Sequence, residues 1–354
     1  MEDRYQEVLK KYPFKVCNIY RARGAYLLET DCGLKLFKCF EGSRNRALFE
    51  HNLKEHLFIH GYYNTDLYVK TIEDDIIAED QTGCQYIVKN WFWGEECNLK
   101  ELSQIEMASA NLAKLHSILK GVEFTKEQLE YNITGNLKET FEKRNRELKR
   151  VKGYIWDKRQ RNQFEILYLN YYDEFHEQGQ EAVEKLAKSN YNKVLEEAIR
   201  QRLVCHGNYN YHNIMMLKNK YESPSKSGLS LSVADLSSEW SKGMATTNFE
   251  KAHVGIQIYD LYQFIRKVME KNDWDILYGY NIIEIYDRIR PISKDELEIL
   301  YLLLLYPEKF WKITNFYFNG KKVWISTRNI QKLNSIGEQN PKRIIFLKKL
   351  ESIL

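Results

Sequence analysis

The residues best placed to do chemistry lie in one short stretch, His206-Gly207-Asn208-Tyr209-Asn210-Tyr211-His212-Asn213. It falls between two apolar runs, Leu203-Val204-Cys205 and Ile214-Met215-Met216. That pattern predicts a strand, a polar loop and a second strand. Further on, the alternating run Leu229-Ser230-Leu231-Ser232-Val233-Ala234 ends at Asp235. An Asn at one strand end and an Asp at the end of the next suit a site for Mg²⁺ and phosphate. Mg²⁺ is hard, and it takes side-chain oxygens together with the oxygens of a substrate phosphate. The remaining histidines show no H-x-H or H-E-x-x-H spacing, so they predict no metal site. The six cysteines stand singly with no C-x-x-C pair, which predicts buried, reduced thiols in a cytosolic protein.

The spacing H-G-x-x-x-x-x-N, followed by a strand and Val-Ala-Asp, resembles the catalytic and metal loops of the aminoglycoside phosphotransferase and choline kinase enzymes. These are a branch of the protein-kinase-like fold, and their pattern is H-G-D-x-x-x-x-N followed by I-D-[FW]-[DE]. The resemblance implies that Asn213 and Asp235 are metal ligands and that His206 orients the loop without serving as a base. Leu-Lys-Leu-Phe-Lys resembles the third strand, with Lys38 as the lysine that anchors ATP and Glu50 on the next helix as its ion-pair partner. Leu112 to His116 resembles the helix that precedes the catalytic loop. Ile258 to Arg266 resembles the later Asp-Leu-Ala-type helix, whose Asp260 would bond the loop backbone. Closer still, the chain resembles the CotS-type spore-coat family of kinase-like proteins of endospore-forming bacteria. "RGAYLLETDCGLKLFK", "YIVKNWFWGEEC", "LAKLHSI", "IYDLYQFIRKVMEKNDWD" and "LLLLYPEKFWKI" carry that resemblance in the family's order.

Three departures from the pattern bear on activity. Asn208 stands where the catalytic aspartate belongs, and an amide cannot accept the substrate's proton. A positioned base is worth about 10²–10⁴-fold in rate. After Asp235 the acidic residue is missing, with Ser237 in its place and Glu239 out of register. Only Gly24 could serve a phosphate-covering turn. The expectation is a pseudokinase acting in coat assembly, with ATP and Mg²⁺ binding weak or absent. The alternatives are an active ATP-dependent phosphotransferase and a nucleotide-binding sensor or scaffold.

These residues need elements to position them. The first ninety residues read as a small α+β lobe. Ala25–Thr30 and Leu34–Phe40 flank a turn at Asp31 to Gly33, a helix spans about 45–60 with Leu48, Leu53, Leu57 and Phe58 on one face, and two further strands follow near 76–79 and 85–89. Trp91-Phe92-Trp93-Gly94 is a connector, either a base-stacking hinge or a core contact. Beyond it helices dominate, including one long polar helix over about 136–172. The fold expected is therefore α+β, protein-kinase-like and bilobal, with an N-terminal lobe at 1–90 and a helical C-terminal lobe at 91–354.

Composition narrows the partners. Net charge is +4 over 354 residues, so nucleic-acid binding is not expected. Lys143 to Arg161 nevertheless carries nine Lys or Arg against Glu147 and Asp157. This basic helix is either a solvated face or a dock for an acidic or phosphorylated ligand. The longest apolar run, Ile299 to Tyr306, is far short of the roughly 20 residues that span a bilayer. The N-terminal stretch lacks a signal-peptide core. The family resemblance implies spore coat proteins as partners, and a chain made in the mother-cell cytoplasm and assembled into the coat.

Overall fold

The structure, a computed structural model, describes residues 2–22, 24–130, 135–218, 243–320 and 327–354. By contacts the chain divides into two compact units. One joins Met1–Ile133 with Gln201–Asp260, and the other joins Thr134–Arg200 with Leu261–Leu354.

The first unit opens with α1 (Glu2–Leu9) and three strands, β1 (Val16–Ala22), β2 (Ala25–Thr30) and β3 (Gly33–Cys39). The expected turn forms at Asp31-Cys32, with Thr30 opposite Gly33, and Gly33 takes φ +92°. The sheet continues through β4 (Tyr68–Val69), β5 (Ala78–Glu79) and β6 (Gln85–Asn90). Its order is β1-β2-β3-β6-β4, with β5 also on β6, and every pairing is antiparallel. Alternation sorts the side chains. Leu28, Phe37 and Val88 pack with Val8, Leu9 and Tyr12 from the α1 region. Ile87 packs on the other face with Ala47, Tyr68, Ile76 and Ile77. Lys38 lies opposite Ile87 and Leu36 opposite Lys89, so both lysines share that second face.

Helix α2 (Arg44–Ile59) starts where the Ser43 hydroxyl accepts the Arg46 N–H, and the chain leaves it at Gly61, φ +85°. Its inward face differs from the expected one. Leu53 and Leu57 are buried, but Phe58 is 43% exposed and Leu48 only half-buried. Glu50 and Lys54 point inward in their stead. Ion pairing described below makes that burial affordable for charged groups.

Three further strands extend the unit. β7 (Gly94–Glu96) pairs with β9 (Ile214–Leu217), which pairs with β10 (Met244–Thr246). The aromatic connector therefore runs directly into a strand. Gly94 is needed there, because a Cβ would come within 2.4 Å of the Met216 carbonyl oxygen. β8 (Val204–Cys205) pairs with β11 (His253–Val254). Helix α3 (Leu102–Ile118) buries Ile105, Ala108, Leu112 and Leu115 at the expected spacing, and α4 (Lys126–Leu129) is one turn.

The second unit is helical. It holds α5 (Leu137–Trp156), α6 (Gln163–Lys188), α7 (Tyr191–Arg200), most of α8 (Ile258–Lys271), α9 (Ile276–Ile289), α10 (Lys294–Leu305), α11 (Glu308–Asn319) and α12 (Thr327–Glu351). The single helix expected over 136–172 is two. Asn162 caps α6 by accepting the Glu165 N–H at 3.1 Å, and the Glu165 side chain accepts the Asn162 N–H at 3.0 Å. The break lets Leu148 and Ile155 of α5 meet Phe164, Tyr168 and Phe175 of α6 in one core. The apolar run at 299–306 is fully buried, as a core helix. Among the described residues no helix is long and apolar enough to cross a membrane.

The cysteine expectation needs correction. Cys97 and Cys205 are buried, but Cys17, Cys32, Cys39 and Cys84 are exposed free thiols. Cys17 lies on the edge strand β1, Cys32 in the β2–β3 turn, Cys39 at the end of β3 and Cys84 just before β6.

Candidate functional site

The loop after β8 is held from beneath by one carboxylate. Asp260, fully buried, accepts the backbone N–H of His206 at 2.6 Å, that of Gly207 at 2.8 Å, and His116 Nε2–H at 3.1 Å. Burial acts to raise its pKa, but the hydrogen bond from His116 leads the contacts that outweigh burial and hold the carboxyl below its usual range. His206 Nδ1 accepts the Asn208 N–H at 3.2 Å, so its proton sits on Nε2 and is donated to the Thr247 carbonyl at 3.0 Å. Burial pushes the His206 pKa down and favours this neutral form. Both ring nitrogens are thus occupied in shaping the loop.

Gly207 sits at φ +76°, and a Cβ there would stand 1.9 Å from the Lys251 carbonyl oxygen. Gly207→Ala is therefore expected to lower stability by about 1–3 kcal/mol through strain and displacement of the Lys251 segment. Chemical denaturation checks this, and an unchanged midpoint would count against the turn as drawn.

Four asparagines are linked beyond the turn. Asn208 Oδ1 and its carbonyl both accept from Asn210 Nδ2 at 2.9 Å, and the same carbonyl accepts Asn213 Nδ2 at 2.8 Å. Asn213 Oδ1 faces Asn248 Nδ2 at 3.2 Å. Asn248 follows β10 at φ +65°, and its N–H donates to Asp66 at 3.1 Å. Asp235 lies outside the described residues. After β10 the chain reads Thr247-Asn248-Phe249-Glu250, which carries the aromatic and acidic places of I-D-[FW]-[DE] with an amide in the aspartate place.

Lys38 and Glu50 come to the same sheet face but take other partners. Glu50 binds Lys54 at 2.6 Å, Lys89 at 2.7 Å and the Tyr68 hydroxyl at 2.8 Å. Lys54 also reaches Asp66 at 2.8 Å. Lys38 pairs with Glu250, which lies 3.7 Å from Lys89. Arg46 holds that loop by donating to the carbonyls of Glu250 and Ala252, at 3.0 and 2.6 Å. Burial acts to raise the Glu50 pKa, but Lys54 and Lys89 overcome it and hold the carboxyl well below its usual range. Burial pulls on Lys89 as well, yet Glu50, Tyr68 and Asp66 keep its ammonium well above the ordinary value.

Sequence reasoning missed Lys54, Asp66, Lys89, Asn248 and Glu250. Asn248 and Glu250 had a signal, the Asn-Phe-Glu run a few residues before the Asp260 helix. Lys89 had a weaker one, a lysine within the apolar strand Tyr86 to Val88.

The described residues do not fit Mg²⁺. Such a site needs one or two carboxylates, and the linked side chains at 208, 213 and 248 are neutral amides. The carboxylates beside this segment, Asp66 and Glu250, are engaged by lysines. No group of three His, Cys, Asp or Glu among the described residues could hold a metal.

No family model matches the chain. It is 21% identical over 362 residues to "Spore coat protein S" of Bacillus subtilis (strain 168), spanning 99% of this chain and 95% of that protein. Among solved structures, an aminoglycoside phosphotransferase from Alicyclobacillus acidocaldarius superposes with TM-score 0.82 at 18% identity, covering 98% of this chain and 95% of that one. A spectinomycin phosphotransferase in complex with ADP and spectinomycin gives 0.62 at 10% identity, covering 99% and 98%. Amicoumacin kinase, in complex with AMP-PNP, Ca²⁺ and its ligand, gives 0.60 at 12%, covering 97% and 93%. The resemblance read from the sequence is thus matched along the whole chain: it has the α+β, kinase-like fold of the aminoglycoside phosphotransferases, with an antiparallel-sheet N-terminal region and a helical C-terminal region, and it is similar throughout to a spore coat protein.

Proposed function

We propose that this chain is a catalytically impaired kinase-fold protein that acts in assembly of the spore coat. One observation carries the impairment: Asn208, Asn213 and Asn248 meet where the reaction needs a proton-accepting carboxylate and a metal-holding one. Asn208 takes the place of the catalytic aspartate. Asn248, preceding Phe249 and Glu250, takes the place of the metal aspartate in preference to Asp235. Lys38 and Glu50 keep the places of the anchoring pair, although Lys38 closes on Glu250 and Glu50 on Lys89. Asn213 keeps the place of the second metal ligand. Loss of both acids removes the base and the metal-borne charge stabilisation on which phosphoryl transfer depends.

The coat assignment rests on whole-length similarity to Spore coat protein S. With it come the mother-cell cytoplasm as the place of synthesis, coat proteins as partners, and the lobes at 1–90 and 91–354. Nucleotide binding is supported by the ADP and AMP-PNP held by similar folds. A docking role for the basic helix falls on part of α5. Lys152 is tied to Asp173 and Lys158 to Glu165, while Arg146, Lys149 and Arg150 remain exposed for an acidic or phosphorylated partner.

Purified protein given Mg-ATP with small hydroxyl and amine acceptors is expected to show no sustained transfer. Turnover near 1 s⁻¹, within the kinase range of about 1–100 s⁻¹, would overturn the impairment. In sporulating cells a fluorescent fusion should collect at the forming coat, and a diffuse signal throughout sporulation would overturn the assembly role.

A further inference from the structure

The charged groups that Asn248 joins through Asp66 form one linked set. Lys38, Lys54 and Lys89 supply three ammonium groups, and Glu50, Asp66 and Glu250 supply three carboxylates. Glu50 and Asp66 are about 1% exposed and fixed between buried lysines. Glu250 differs, because its side chain is 39% exposed and it reaches Lys38 and Lys89 from the loop after β10. It is the one carboxylate of the set that can swing out to solvent. An oxyanion arriving from solvent would meet Lys38, itself 22% exposed, and would compete with Glu250 for it.

The amides point the same way. A carboxylate only accepts hydrogen bonds, and so attracts a cation. An amide also donates two, and so can bind the oxygens of an anion. Asn248 Nδ2 already donates towards its neighbour, and the Asn213 amide lies beside it. Exchange of acids for amides therefore removes negative charge from a site whose Asn248 is linked through Asp66 to the lysine set, and supplies N–H donors in its place. We propose that this site binds the phosphate chain of a nucleotide or a free polyphosphate without a divalent metal, and that Glu250 is an internal anion which the phosphate displaces. The proposal rests on the reading of the site as catalytically impaired.

Calorimetric titration of the full chain with ATP and with inorganic pyrophosphate, each in excess EDTA and in excess MgCl₂, tests it. Wild type should bind ATP in EDTA at least as tightly as in Mg²⁺. Glu250→Gln removes the competing charge and should tighten ATP by about tenfold, the scale of one charge-assisted hydrogen bond. Lys38→Met should weaken it by a similar factor. Equal binding of pyrophosphate would assign the phosphate chain alone as ligand, and binding of ATP only would assign the nucleotide. Binding that requires Mg²⁺, absence of binding by wild type and both variants, or unchanged affinity in folded Glu250→Gln would each overturn the proposal. Should Glu250→Gln fail to fold, the EDTA comparison and Lys38→Met still decide. Absence of ATP binding would leave the impaired-kinase reading standing, whereas sustained Mg-dependent transfer by wild type would sink that reading.

Discussion

Protein carrying Asn208→Asp and Asn248→Asp together is expected to gain phosphotransfer or ATP hydrolysis by about 10²–10⁴-fold over wild type, while Asn208→Asp alone stays at background. The two positions ask different things of the change. At 208 an aspartate keeps the acceptor oxygen that takes Asn210 Nδ2 at 2.9 Å, so the loop is undisturbed and only the base is supplied. At 248 a donor becomes an acceptor. The new carboxylate would face Asn213 Oδ1 at about the present 3.2 Å, two oxygens with nothing between them. A cation relieves that repulsion. Asn248→Asp should consequently raise its melting temperature on adding MgCl₂, where wild type shows no such response. A double variant without turnover and without a Mg²⁺ response would mean that Asn248 does not hold the metal-aspartate place.

Removing Glu50 should be the most damaging single truncation in the buried charge network. Glu50→Ala leaves Lys54 and Lys89 buried with Asp66 as the remaining buried carboxylate. Breaking a buried pair from one side costs about 3–5 kcal/mol, a large share of a typical folding stability of about 5–15 kcal/mol. Denaturant unfolding measures it, and a loss under about 1 kcal/mol would show that the network is more hydrated than its burial indicates. The pH dependence has a definite sign. Glu50's folded pKa is depressed below the ordinary value of 4.5, so the unfolded state takes up protons first on acidification. Its contribution is whole above that value and shrinks as pH falls through it towards the depressed folded value. Glu50→Gln should flatten this part of the acid limb.

The loop from His206 to Asn213 is legible in the sequence because residue types and spacing along one short segment define it. The same holds for the turn at Asp31 to Gly33 and for the helix that carries Asp260. The pairing of charges is not legible in this way. Glu50 is followed by Lys54 four residues later, which signals an exposed helical pair as readily as a buried one. Its other partner, Lys89, comes from a strand 39 residues away. Lys38 and Glu250 are 212 residues apart, and no local pattern encodes that meeting. Asp235 stands out by chemical type but lies outside the described residues, whereas the sequence that follows the strand pairing with β9 carries Asn248. Chemical type picks out the first, and only the strand pairing brings the second to Asn213. The break between α5 and α6 was hidden for another reason. Both sides are helical in pattern, and only the reciprocal Asn162–Glu165 bonds mark the boundary.

The first unit is built from two stretches of chain separated by Thr134–Arg200. Arg46 must find Ala252, and Thr65 bridges to Thr246. During synthesis at about 5–20 residues per second, the strands that carry Lys38 and Lys89 wait on the order of ten seconds or more for the loop that brings Glu250. Over that interval the nascent first unit holds Lys38, Lys54 and Lys89 with only Glu50 and Asp66 to neutralise them, and it lacks the strands β9 and β10. A ribosome-bound chain stopped short of residue 250 should therefore carry an incomplete first unit with its lysine cluster one carboxylate short and open to proteases, and the chain should become resistant only once that loop has left the exit tunnel.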